Sequence, residues 1–239
     1  VRYAKRDRLR FASHRDVARI LERALRRAEV PIASSAGFNP HPRISYMGAC
    51  PTGVASDAEY LELGLSTACR PDLVRIALDS ALPPGIDIVE VADAAEAVDP
   101  ASLADRLQAS KWRLVLHGAQ PAVLERAVVD LLAAESIMVT RLMKDGPRQI
   151  DARAAVLGLA VGPGECAAGD HDCATLFSVV RHTTPTVRPD DVLTALRAVA
   201  DLAPAEPPGS GLSQVRLEAT RLAQGRIYGD GQVLDPLAP

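Results

Sequence analysis

The chain has 239 residues, enough for one large domain or, more naturally, two of about 100 residues that each bury a core. With 48% hydrophobic and 24% charged residues it reads as a globular chain, not a disordered or collagen-like polymer, and apolar runs such as Val156 to Val161 are too short to span a bilayer. The net charge of -3 hides an asymmetry: residues 1 to 50 carry 11 Lys and Arg against 4 acids, whereas the rest carries 16 against 26.

Taken in chain order, Val1 to Ala12 is expected to be a strand with a basic tip, with Tyr3, Leu9 and Phe11 as its apolar members. Ser13-His14-Arg15-Asp16 has the spelling of a capping box, so a helix should start there. Val17, Ile20, Leu21, Ala24, Leu25 and Ala28 then form one apolar stripe, with Arg15, Arg19, Glu22, Arg23 and Arg26 on the remaining surface. Pro31 ends the helix. Ile32 to Ser35 reads as a short strand leading into Gly37-Phe38-Asn39-Pro40-His41-Pro42-Arg43, a shaped loop. Strands are expected at Ile44 to Cys50, Glu59 to Leu65 and Ile86 to Val91, with a helix at Pro71 to Ala81.

Asp93 to Ser110 reads as a linker with room for a short helix, after which the order β-α-β-β-α-β restarts. Strands are expected at Lys111 to His117, Ile137 to Met143, Cys173 to His182 and Val215 to Leu222, with helices at Pro121 to Ala134 and Pro189 to Leu202. Gly146-Pro147 reads as a turn or loop, and Ile150 to Val161 as partly extended. The expected fold class is therefore α+β: two tandem ferredoxin-like (βαββαβ) domains, each an antiparallel sheet with its helices on one face. The expected organisation is residues 1–92, a linker at 93–110, a second domain at 111–224 and a tail at 225–239.

The cysteines Cys50, Cys69, Cys166 and Cys173 are too few and too irregular for a disulfide framework, so thiols are the default reading. The sequence has no CxxxCxxC run for the iron–sulfur cluster of a radical SAM enzyme, no GxxxxGK[ST] phosphate loop and no HExxH helix. No cofactor is expected of this chain. With no basic-then-apolar leader at its start and no spanning segment, it is expected in the cytoplasm, away from membranes.

The basic opening fits an anionic partner, because a local cationic patch attracts phosphates over about a Debye length despite the negative total. The bland reading is a solvated helix face; only three of the bases are lysines (Lys5, Lys111, Lys144), so the arginine content can also reflect base composition. In the GFNPHPR stretch, Pro40 and Pro42 restrain Asn39 and His41, and so Asn39, His41 and Arg43 are held with little freedom. That stiffness suits recognition or, more plainly, staples an irregular crossover. His14, in the first turn of a helix, is placed to favour a neutral imidazole able to accept a proton. If the two stretches converge, His14, Arg15, Asn39, His41 and Arg43 form one site with Arg6, Arg8 and Arg10. Tyr3 and Phe11 are candidates to stack bases on a sheet, but half-buried core positions are the plainer reading. Cys166, His171 and Cys173 offer a weak alternative, a zinc site, but their spacing matches no standard finger.

At Ser13-His14-Arg15-Asp16, Leu21 to Ala28, Gly37 to Pro42, Gly53-Val54 and Glu59-Tyr60-Leu61 the sequence resembles a bacterial family, the radical-SAM-linked domain of unknown function. That domain is fused behind a radical SAM protein in many bacteria and stands alone elsewhere. The resemblance is densest over residues 1 to 91, and Gly146 to Arg153 is similar to a second, weaker stretch. Arg15 stands where an apolar residue is usual, Ala36 where Gln is expected, and Tyr46 to Thr52 departs from the usual spelling. The resemblance implies a separately encoded radical SAM partner and supplies no reaction. Two readings follow. The first is a noncatalytic accessory protein that binds RNA or presents a substrate to that enzyme in RNA or ribosome-related modification. The second, by likeness to the RNA-processing proteins of CRISPR systems, is a metal-independent endoribonuclease with His14 or His41 as general base.

Overall fold

Helix α1 (His14–Arg27) starts where the Ser13-x-x-Asp16 spelling places it: the Ser13 Oγ accepts the Asp16 N–H at 3.2 Å and donates to the Asp16 carboxylate at 2.6 Å. Its apolar stripe is the reason it stays. Val17, Leu21, Ala24 and Leu25 are buried, each leucine contributing about 1.5–3 kcal/mol of transfer free energy. The computed structural model describes residues 1–97, 99–163, 173–202, 215–229 and 231–238. They form two compact units, Val1–Leu107 with Asp235–Pro239, and Gln108–Leu234.

In the first unit, strands β1 (Arg2–Lys5), β2 (Ile44–Met47), β3 (Ala55–Leu63) and β4 (Ile86–Glu90) pair antiparallel in the order β4-β1-β3-β2. Helix α1 and helix α2 (Pro71–Ala81) share one core with this sheet, in which Tyr3, Leu21, Leu25, Leu61, Leu78 and Ile86 are buried. A second cluster holds Ala58 and Tyr60 under Leu103 and Leu107, with Met47 and Leu237 against it. Leu103 belongs to a short helix, α3 (Leu103–Arg106), inside the stretch read from sequence as a linker.

The opening strand is shorter than expected. It ends at Lys5, because Asp7 takes a positive φ of 48° and turns the chain into a 3-10 helix over Asp7–Phe11. Phe11 consequently leaves the sheet and stands 59% exposed, whereas Tyr3 is core.

The second unit is built from β5 (Ala109–His117), helix α4 (Pro121–Ala133), β6 (Met138–Met143), β7 (Gly146–Asp151), α5 (Ala152–Ala155), β8 (Val156–Gly162), β9 (Cys173–Arg181), α6 (Pro189–Val199), β10 (Arg216–Tyr228) and β11 (Gln232–Leu234). Four strands pair antiparallel as β10-β5-β9-β8, and β11 adds to β10. Strands β6 and β7 make a separate hairpin, so Gly146-Pro147, read as a turn, begins a strand. This edge tolerates Pro147, which has no N–H to give. Both units are thus mixed α+β with antiparallel sheets. Cys50 and Cys69 carry thiols, but Cys173 is disulfide-bonded, which departs from the thiol reading for that residue.

Candidate functional site

The basic opening of the first unit is partly absorbed by the fold itself. Lys5 is buried on β1 and donates to the Pro51 carbonyl at 3.2 Å. Beside it the buried Glu59 accepts the Cys50 N–H at 2.9 Å, so these two charges hold down the loop between β2 and β3. Arg6 reaches Asp57 on β3 at 2.7 Å and Asp87 on β4 at 3.2 Å, and those carboxylates, Asp57 first through its hydrogen bond, raise the guanidinium's pKa. Arg2 binds Asp235, and Arg27 donates to the Ala81 carbonyl at 3.1 Å.

The 3-10 helix carries the next two candidates. Arg10 is half-buried with its guanidinium 4.8 Å from the centroid of the Phe11 ring, and its carbonyl accepts from Gly53 at 2.8 Å. Arg8 is exposed and makes no hydrogen bond or ion pair with a described residue. Arg15, in the first turn of α1, is exposed and acts electrostatically on Asp16.

The GFNPHPR stretch is a hairpin arm. Ser34 bridges Pro42, Ser35 N–H donates to the His41 carbonyl at 2.8 Å, His41 N–H donates to the Ser35 Oγ at 3.0 Å, and Arg43 N–H reaches the Ala33 carbonyl at 2.8 Å. Gly37 sits at the tip with a φ of +133°, a value open to glycine and strained for any other residue. Asn39, His41 and Arg43 are exposed, and their side chains bond to no described residue. The stiffness inferred from the two prolines is therefore reinforced by main-chain rungs.

His14 lies in the first turn of α1 and His41 on the hairpin arm. His14 meets Tyr46 of β2 edge-on, ring centroids 5.2 Å apart, and the Tyr46 hydroxyl points to the Ala18 carbonyl at 3.5 Å. Burial, with help from Glu22, pushes the Tyr46 phenol up to about 12. The hairpin base instead flanks the other half of α1, where Glu22, Leu25, Arg26, Val30, Ile32, Ser34, Pro42 and Ile44 line a groove of about 210 Å³.

Sequence reasoning missed Tyr46, the buried Lys5 and Glu59, and in the second unit the ion pair of Arg141 with Asp191 at 2.6 Å. Strand alternation places Lys5 on the same face as Tyr3 and was a usable signal; partners fifty residues apart leave none. Of the three residues weighed as zinc ligands, Cys166 and His171 lie outside the described residues, and the disulfide at Cys173 removes its thiolate. Among the described residues no group of three or more His, Cys, Asp or Glu could hold a metal ion, and no helix is long and apolar enough to cross a membrane.

Residues 1–189 match the family model described as "Uncharacterized protein conserved in bacteria (DUF2344)". The chain belongs to that family. In this DUF2344 chain the match takes in the whole β1–α1–hairpin region and runs through the second unit to the first residue of α6. No curated protein matches it. A crystal structure of an unknown protein from Galdieria sulphuraria is similar at 18% identity over 91% of this chain and 95% of that one, with a TM-score of 0.22, a likeness that carries no argument.

Proposed function

We propose that this DUF2344 chain is a noncatalytic, cytoplasmic RNA-binding protein that presents its RNA to a separately encoded radical SAM enzyme. The observation that carries the RNA reading is the set of exposed arginines of the first unit that the fold leaves uncompensated among the described residues, Arg8 and Arg43 foremost, together with a rung-stiffened hairpin displaying Asn39 and His41. The radical SAM link rests on the sequence resemblance, and this polypeptide has no CxxxCxxC run of its own. We read both units as ferredoxin-like: β4-β1-β3-β2 and β10-β5-β9-β8 each follow the order fourth, first, third, second of a βαββαβ chain. That fold hosts many functions, so the surface and not the fold supports the reading. The endoribonuclease alternative gains nothing from the placement of His14 and His41.

The test is fluorescence anisotropy with labelled RNA pools between about 50 and 300 mM salt, comparing the wild type with Arg8→Ala/Arg43→Ala. Arg6 is left in place because Asp57 and Asp87 already compensate it. Two lost phosphate contacts reduce the salt slope by roughly 1.4 on single strands. An unchanged slope, or no binding by either protein, overturns the reading.

A further inference from the structure

Arg15, Arg19, Arg23 and Arg26 recur at i, i+4, i+8 and i+11 along α1, and all four are exposed. At 100° per residue they fall within one quadrant, directly opposite the buried Val17, Leu21, Ala24 and Leu25. Neighbours in such a row stand about 5–6 Å apart at Cβ, and the row is about 16 Å long. Of these four arginines only Arg19 has, among the described residues, a carboxylate within ion-pair distance, Asp16 at 3.8 Å with both side chains more than half exposed, a geometry worth little in water.

The row does not end in solvent. Arg26 borders the groove at the foot of the hairpin, whose other walls are mostly apolar: Leu25, Val30, Ile32, Pro42 and Ile44. At the hairpin tip Phe38 is fully exposed, at 108% of its reference surface. The arm is fixed by main-chain rungs, Pro40 and Pro42, and among the described residues no ring or cation contact engages the Phe38 ring.

We infer that the four-arginine row of α1 and Phe38 form a track for single-stranded RNA, the arginines following the phosphates and the Phe38 ring stacking on an unpaired base. This rests on the RNA reading proposed above and specifies its ligand. The pairing of charge with an aromatic face selects the class. A duplex offers phosphates but keeps its bases stacked, and an acidic peptide offers charge without a base to stack. Arginine suits the row, since its planar guanidinium both bonds phosphate and stacks on bases.

The experiment uses the full chain, a labelled unstructured pyrimidine-rich RNA of about 15 nucleotides, the same strand annealed to its complement, and poly-glutamate as a competitor. The variants are Phe38→Ala and Arg19→Ala/Arg23→Ala/Arg26→Ala; the changes are at exposed positions, and unchanged urea midpoints verify folding. We expect Phe38→Ala to weaken single-strand binding about 5- to 100-fold while leaving duplex binding and the salt slope unchanged. The triple variant lowers the slope by roughly 2. Equal wild-type affinity for strand and duplex, an unaffected Phe38→Ala variant, or full competition by poly-glutamate overturns the inference. Loss of binding in Arg8→Ala/Arg43→Ala but not in the triple variant sinks the track and leaves the RNA reading standing; no binding to any RNA sinks both.

Discussion

The Nε of Arg6 lies 2.7 Å from the Asp57 carboxylate, and the same guanidinium reaches Asp87 at 3.2 Å, so an arginine at the centre of the basic opening is a bolt across β1, β3 and β4. The pair is about half exposed, and exposed pairs contribute roughly 0.2–1 kcal/mol each. Arg6→Ala is therefore expected to lower the unfolding free energy of the first unit by about 1 kcal/mol and to change RNA affinity less than about twofold. Urea unfolding and anisotropy measured on the same sample check both. A loss of RNA affinity as large as that of Arg43→Ala would place Arg6 on the binding surface after all.

That contrast marks where the sequence is legible. Local signals were read well: the Ser13-x-x-Asp16 cap, the apolar stripe of α1, and Pro71 at the first position of α2 each depend on neighbours within a few residues. The positive φ at Asp7, which cuts β1 short and turns Phe11 outward, has no spelling that separates it from a basic strand tip. The sequence shows how much charge the opening carries but not where it is compensated, because Asp57 and Asp87 are 51 and 81 residues from Arg6 along the chain. The arginine row was visible as the polar remainder of an amphipathic helix. The packing of the hairpin base, Pro42 and Ile44, beside Glu22 to Arg26 was not, since it joins segments about twenty residues apart.

The cap of α1 has a pH dependence. The Ser13 hydrogen bond, helped by the cations Arg19 and Arg15, holds the Asp16 carboxyl below the usual carboxylate value of 3.8. A depressed folded-state value means that Asp16 contributes stability above the unfolded value, lost as pH falls through the folded one, so the effect appears below about pH 4. A carboxyl-detected NMR titration should find the Asp16 midpoint below the normal range in the wild type and back within it in Ser13→Ala. The same variant should cost about 1 kcal/mol at neutral pH through loss of the Asp16 N–H partner. Identical midpoints in the two proteins would show that the cap does not set the titration.

Asp235 fastens the last residues to the first sheet. Its carboxylate accepts from Arg2 at 2.5 Å, from the Tyr60 hydroxyl at 3.2 Å and from the Leu237 N–H at 2.9 Å, while Arg106 donates to the Pro236 carbonyl at 2.7 Å. Burial, with the charge of Asp235 adding to it, keeps the Tyr60 phenol protonated far above its usual range, so it stays a donor. Asp235→Ala takes the acceptor from the Tyr60 hydroxyl and the carboxylate from Arg2, which keeps only its bond to the Asp57 carbonyl at 3.1 Å among the described residues, and we expect a loss of about 2 kcal/mol. Asp235→Asn, which keeps an acceptor oxygen, should recover part of it. Far-UV circular dichroism in urea is the readout, and equal midpoints for Asp235→Ala and wild type would show that the segment adds nothing to the first unit.

In the second unit the corresponding fastening is ionic and buried. Arg141 on β6 meets Asp191 in the first turn of α6 at 2.6 Å, with 14% and 6% of the two side chains exposed. The arginine also donates to the Thr186 carbonyl at 3.0 Å, and the carboxylate accepts the Arg188 N–H at 2.7 Å. Removing one partner of a buried pair leaves a charge that water cannot reach, at about 3–5 kcal/mol. Asp191 keeps the Arg188 N–H and the positive end of α6, which offsets part of that, so Arg141→Ala should sit near the lower bound, about 3 kcal/mol. Asp191→Ala should cost at least as much, since it removes the guanidinium's carboxylate, leaving it the Thr186 carbonyl, and removes the cap together. The double variant should fall well short of the sum, because each single change has already broken the one contact they share. Trp112 is the sole tryptophan and is buried in this unit, so its fluorescence in urea reports the transition in question. Additive losses across the cycle would mean that the two residues act independently and that the β6–β7 hairpin is held to α6 by packing alone.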